Sequence, residues 1–97
     1  MATFVSLINW TEQGVKNFRD TTKRADAFAQ MVEKRGGKLK DIYWTLGEYD
    51  IVAVTEVPDD ETYTALAIEL GSMGNVRTTT LRGFDRDEIT RIIGMTG

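Results

Sequence analysis

Ile51-Val52-Ala53-Val54 lies between the turn residues Leu46-Gly47-Glu48-Tyr49-Asp50 and the acidic step Pro58-Asp59-Asp60. Successive residues of a strand point to opposite faces of a sheet. Four apolar residues in a row therefore describe a strand that is apolar on both sides. Thr3-Phe4-Val5-Ser6-Leu7-Ile8-Asn9 shares the property: Phe4 and Ile8 fall on one side, Val5 and Leu7 on the other. A sheet with one solvated face would instead alternate apolar with polar.

Working outward from these two strands gives the element order. Between them, Ala25, Phe28, Ala29 and Val32 recur at i, i+3, i+4 and i+7, one stripe of a helix. Asp20 or Thr21 is the expected N-cap and Gly36-Gly37 the stop. Lys38 to Thr45 is a second strand, joined to the third (Asp50 to Glu56) by a tight turn in which Gly47 takes positive φ. Pro58 to Glu61 opens a second helix with the stripe Tyr63, Leu66, Ala67 and Leu70, which ends at Gly71 to Gly74. Asn75 to Arg82 is a fourth strand, and Asp85 with Glu88 forms a capping box for a short last helix bearing Ile89, Ile92 and Ile93. Trp10 to Arg19 reads as a polar connection with one helical turn. The expected fold is α+β: a ferredoxin-like βαββαβ unit with an antiparallel sheet in the order 4-1-3-2. One domain is expected over residues 1–97, with its core in 3–84 and a short helix and tail in 85–97.

Two helices cover one face of such a sheet. The other would present more contiguous apolar surface than monomers usually tolerate. Face-to-face packing with a second copy, as in a dimeric α/β barrel, would bury on the order of 800 Å² per partner. The alternative is that the Ile89–Ile93 segment folds back over that face, but a segment this short is a poor cover for four strands.

Composition narrows the chemistry. The 97 residues include no His and no Cys, and the net charge is −3 with both signs interspersed. That removes the usual neutral-pH base, the commonest metal and haem ligands, and thiol chemistry. No metal site and no cofactor are expected. No basic face suggests nucleic acid, and no apolar run approaches the roughly 20 residues of a membrane helix. Without a basic leader or cysteines, a cytoplasmic location is expected.

Gly47, Tyr49 and Asp50, with Asp59 and Asp60 downstream, the run Gly74-Asn75-Val76-Arg77-Thr78-Thr79-Thr80-Leu81, and Asn9-Trp10-Thr11 with Gln13-Gly14, together resemble the GYD domain family of small bacterial and archaeal proteins. The resemblance spans residues 3–84. It implies the dimeric α/β-barrel superfamily and supports the dimer, but it implies no reaction. A more distant similarity is to the effector-binding domain of leucine-responsive-type regulators, whose oligomers bind amino acids at subunit junctions.

The 4-1-3-2 order brings Asn9, Trp10, Thr45, Gly47, Tyr49, Asp50, Asn75 and Arg77 to one end of the sheet. Asn9, Trp10, Gly47, Tyr49, Asp50 and Arg77 are the candidate ligand-binding residues, for a small carboxylate or an amino-acid-like molecule. Each also has a structural reading. Gly47 serves the turn, Asp50 accepts from turn amides or pairs with Arg77, and Trp10 and Tyr49 pack. Tyr43 and Trp44 on an edge strand would seal subunit contacts. Lys16, Arg19, Lys23 and Arg24 gather near the first helix start, against its dipole, where they could attract an anion.

Two functions follow. The favoured one is a homo-oligomeric ligand-binding or regulatory module. The other is a cofactor-independent enzyme of the monooxygenase or isomerase kind, with Asp50 as base and Tyr49 or Arg77 stabilising developing charge. Haem binding ranks third, since only Tyr43, Tyr49 and Tyr63 could serve as axial ligands.

Overall fold

The computed structural model describes all residues 1–97. β1 (Ala2–Trp10) leads into a short α1 (Glu12–Lys16), a 3₁₀ turn (Phe18–Asp20) and α2 (Thr21–Lys34). β2 (Lys38–Trp44) and β3 (Ile51–Val57) form a hairpin, and α3 (Asp60–Ser72), β4 (Val76–Gly83) and α4 (Arg86–Ile93) follow. The sheet runs β2-β3-β1-β4, antiparallel throughout, so the ferredoxin-like order expected from the sequence is present. No helix is long and apolar enough to cross a membrane.

Parity along the central strands sorts the two faces. Ala2, Phe4, Ser6 and Ile8 of β1 are buried, as are Ile51, Ala53, Thr55 and Val57 of β3. They meet Phe28 and Val32 of α2 and Tyr63 and Leu66 of α3, which supply the buried positions of the two helical stripes. Phe4 and Tyr63 stack with ring centroids 4.4 Å apart. The Tyr63 hydroxyl hydrogen-bonds Ser6 Oγ and accepts from Thr80 Oγ1 at 3.3 Å. A tyrosine therefore fits in this core because its polar tip has partners.

No residue of opposite parity on β1 or β3 is buried. Register places Val5 against Val54 and Leu81, and Leu7 against Val52, which in turn faces Tyr43. These six side chains form a continuous apolar patch on the open face. The α4 helix does not cover it. None of its residues is buried, and Ile93 is 61% exposed. The fold-back alternative is absent from this chain. The thinnest dimension, 18 Å between Cα extremes, matches one sheet and one layer of helices.

Two helix starts differ in kind. Asp59, one of the acids expected at the start of this helix, is its N-cap, accepting from Thr62 N at 2.8 Å and Thr62 Oγ1 at 2.7 Å. These bonds favour the carboxylate, holding Asp59 below its ordinary value of 3.8. The Asp85–Glu88 capping box of α4 is also formed. At α2 the expectation of an Asp20 or Thr21 cap fails. Asp20 makes no side-chain cap, because the preceding 3₁₀ turn runs straight into the helix. Thr21 Oγ1 instead accepts from Trp44 Nε1 at 3.0 Å, tying the end of β2 to the start of α2.

Candidate functional site

The end of β1 meets the β2–β3 turn through a set of hydrogen bonds. Asp50 donates its amide to Ile8 O at 2.9 Å, and its carboxylate Oδ2 accepts from Trp10 N at 2.9 Å. Asn9 Nδ2 donates to Glu48 O at 2.7 Å. Within the turn, Thr45 N donates to Asp50 O at 2.8 Å and Thr45 Oγ1 to Tyr49 O at 2.6 Å. Gly47 stands at φ +115°, with nothing near the position of a Cβ. The glycine is required by backbone conformation, not by a close ligand. Asp50 thus acts as a backbone acceptor, as its structural reading holds, but the acceptor serves the neighbouring strand and no ion pair to Arg77 forms.

A second latch joins α1 to the loop before β4. Thr11 N donates to Asn75 O at 3.0 Å, and Thr11 Oγ1 donates to Gly74 O at 2.5 Å while accepting from Gly14 N at 3.1 Å. Gln13 Nε2 reaches Met73 O at 3.1 Å and Asn75 Oδ1 at 3.0 Å. Gly14 is buried where the two segments touch. A Cβ there would overlap the Asn75 carbonyl oxygen and lie 2.9 Å from its carbon. Arg24 completes the corner, donating to Asn17 O at 2.8 Å and Gly14 O at 3.2 Å. Its guanidinium satisfies carbonyls at the end of α1, which explains a cation at this helix corner. Lys16 pairs with Glu12 at 3.4 Å.

All eight residues placed at this end by topology are found there, divided between the two faces of the sheet. The Asn9–Arg77 register pair belongs to the open face. Trp10 belongs to the helix face, packed with Val76 against Ile8, Ile51 and Ala53. A cleft of about 40 Å³ opens beside it, bounded by Thr21, Arg24, Phe28 and Leu70 among others. Trp10 Nε1 is buried without a hydrogen-bond partner. Tyr49 is half-buried and Arg77 exposed. Arg77 has neither an ion pair nor a side-chain hydrogen bond on its own chain. Asp50, Tyr49 and Arg77 line no cleft. Of the three tyrosines, Tyr63 is committed to the core and Tyr43 stands on the open face, 63% exposed. No group of His, Cys, Asp or Glu is arranged to hold a metal ion.

Sequence reading did not anticipate the roles of Gly14, Arg24 and the Tyr63–Ser6 pair. Gly14 gave a signal, as a glycine within a helical turn, which disfavours glycine unless packing demands it. The partners of Arg24 and Tyr63 lie at positions that only the fold brings together.

The GYD domain matches residues 4–93. The chain is 33% identical over 82 residues to the glutamine synthetase and cystathionine beta-lyase binding protein of Thermus thermophilus, covering 84% of this chain and 86% of that protein. The crystal structure of a Thermus thermophilus protein superposes with a TM-score of 0.56 at 24% identity, covering 88% of this chain and 95% of the other. The crystal structure of MtbAldR gives a TM-score of 0.60 at 14% identity, with 88% of this chain spanning 52% of that one. These two likenesses show the fold. On the match to residues 4–93 and the Thermus relative, the chain belongs to the GYD domain family.

Proposed function

We propose that this chain is a regulatory binding module that pairs sheet to sheet with a second copy and binds a small anionic ligand at the rim of the pair. The observation that carries this reading is the uncovered apolar patch of Val5, Leu7, Val52, Val54, Leu81 and Tyr43. Nothing on the chain itself shields it, and a second copy of the same patch is complementary to it by symmetry. At one end of that face Arg77 stands without a partner beside Asn9. A carboxylate entering the rim would find a guanidinium there that need not break an existing ion pair. The hydrogen bonds that fix Asp50 and the Gly47 turn give them the work of shaping this rim, and general-base chemistry at Asp50 draws no support from a cleft.

A role in binding agrees with the name of the Thermus relative, which binds two enzymes. By that relation, the target of this module would be an enzyme. Sedimentation velocity tests the pairing: the chain should sediment as a dimer, and Val54→Asp or Leu81→Asp as a folded monomer. A monomeric parent chain would refute the pairing. A thermal-shift series with amino acids and small carboxylates tests the rim. A stabilising ligand should lose its effect with Arg77→Ala, because a ligand that binds the native state raises its stability. No shift at millimolar ligand would refute the rim site.

A further inference from the structure

The α4 helix poses a physical problem by itself. It has eight residues, and isolated helices shorter than about 12–15 residues are marginal in water. Its ends are well capped, by the Asp85–Glu88 box and by Gly94 N donating to Thr90 O at 3.2 Å. Ile89, Ile92 and Ile93 form one stripe, whereas Arg86, Asp87, Thr90 and Arg91 occupy the rest of the surface. Yet no α4 residue is buried: Ile92 is half-buried, and Ile89 and Ile93 are exposed, so the stripe is left without full cover by its own chain. The radius of gyration is 14.5 Å, against about 12.5 Å for a compact chain of this length.

From these features we propose that α4 is an exchanged arm, its isoleucine stripe lying on the second copy in the pair. The inference rests on the sheet-to-sheet reading above. Area favours a second copy as the occupant. Four strands at about 4.8 Å spacing and about 3.3 Å per residue give the open face a footprint of roughly 500 Å². A standard stable interface buries about 800 Å² per partner. An eight-residue helix about 12 Å long and 10 Å wide covers roughly 120 Å². The α4 stripe alone is thus far too small to hold a separate partner, whereas in a two-fold pair each chain donates one arm and receives one, which extends the sheet-face footprint by roughly 240 Å² per chain. Continuity points the same way. Leu81 of the open patch lies on β4, and Phe84 and α4 follow directly along the chain, so a copy seated on that face abuts the arm. The mixed charges of α4's other faces suit solvent.

The test is a sedimentation dilution series on the full chain, Ile89→Asp/Ile93→Asp, and Val54→Asp, with Leu81→Asp as a second open-face variant should Val54→Asp misfold. Both isoleucines are exposed, so the double variant should keep the far-ultraviolet circular dichroism of the parent. The expected result is a parent dimer, a folded double variant whose dissociation constant is at least 100-fold weaker, and a monomeric open-face variant. A double variant that pairs as tightly as the parent, beside a monomeric open-face variant, overturns the arm and leaves the sheet pairing standing. A monomeric parent, including one in which α4 folds onto its own sheet, overturns both. The chain has no cysteine, so Ile93→Cys supplies a unique attachment point. A fluorophore there should change emission on dilution through the dimer dissociation range. Unchanged emission as the pair separates also overturns the arm.

Discussion

Replacing Gly14 by alanine sets two effects of opposite sign against each other. Within a helix, alanine is favoured over glycine by about 1 kcal/mol, and Gly14 does not have positive φ. Propensity alone therefore predicts stabilisation. The added Cβ, however, would lie 2.9 Å from the Asn75 carbonyl carbon and inside the contact distance of its oxygen. Non-bonded heavy atoms in contact prefer about 3.5 Å, and the Asn75 oxygen lies nearer to that Cβ than the carbon does, so α1 and the loop at Asn75 must separate by more than about 1 Å. Both sides are backbone, and neither yields by rotating a side chain. Overpacking of this kind costs about 1–3 kcal/mol. The separation also strains the Thr11 N–H to Asn75 O bond and the Gln13 contacts, at about 1 kcal/mol for each bond lost. Net destabilisation of about 2 kcal/mol is expected, a fall in Tm of about 10 °C for a chain of this size. Thermal unfolding by circular dichroism at fixed protomer concentration measures it. Gly71→Ala is the internal control: it lies in α3 with open space around its Cβ position, and it should raise Tm by about 4 °C. If Gly14→Ala matches the parent or exceeds it, the close approach does not constrain the corner.

Tyr63→Phe keeps the stack on Phe4 but leaves Ser6, 2% exposed, without its partner; a loss of about 2 kcal/mol is expected in denaturant titration. Asp50→Ala should cost about 2 kcal/mol by removing the acceptor for Trp10 N. Asp50→Asn, which keeps an oxygen there, should recover at least half of that loss. Equal losses in the two variants would contradict the acceptor role. Asp59 has a folded value below 3.8, so its contribution is present above that pH and is lost as pH falls through the folded value. Asp59→Ala should therefore melt below the parent at neutral pH, with the gap narrowing in acid. A gap that stays constant from neutral to strongly acidic pH would exclude ionisation of the cap as its cause.

The fold was legible because its signals are local. Doubled apolar faces at Val5–Ile8 and Ile51–Val54, helical stripes that bury Phe28 with Val32 and Tyr63 with Leu66, the acidic start at Pro58–Glu61 and the capping box at Asp85 each depend on residues within a few positions. Strand boundaries shift by a single residue for the same reason. At α2, Asp20 had the composition of a cap but not its backbone: it closes the 3₁₀ turn at Phe18–Asp20, with φ −93° and ψ 3° instead of the extended conformation of a capping residue. The candidate site was legible as a location and less so as a set of roles. Topology alone brings Asn9, Trp10, Asp50 and Arg77 to one end. Adjacent strand residues nonetheless point oppositely, so Trp10 serves the core while Asn9 and Arg77 face outward. The partners of Asp50, Gln13 and Arg24 are mostly backbone groups, and backbone carries no side-chain code to read.

The edge of the sheet bears on how copies of this chain avoid uncontrolled assembly. β2 is an edge strand, and its register against β3 slips between Leu39 and Asp41. The irregularity falls at Lys40, in a segment that also carries Lys38 and Asp41. A kinked and charged edge is a poor template for strand addition, so open-ended growth into fibres is suppressed on that side. Pairing through the open face, as proposed above, would differ from edge addition in that two copies saturate each other and growth stops.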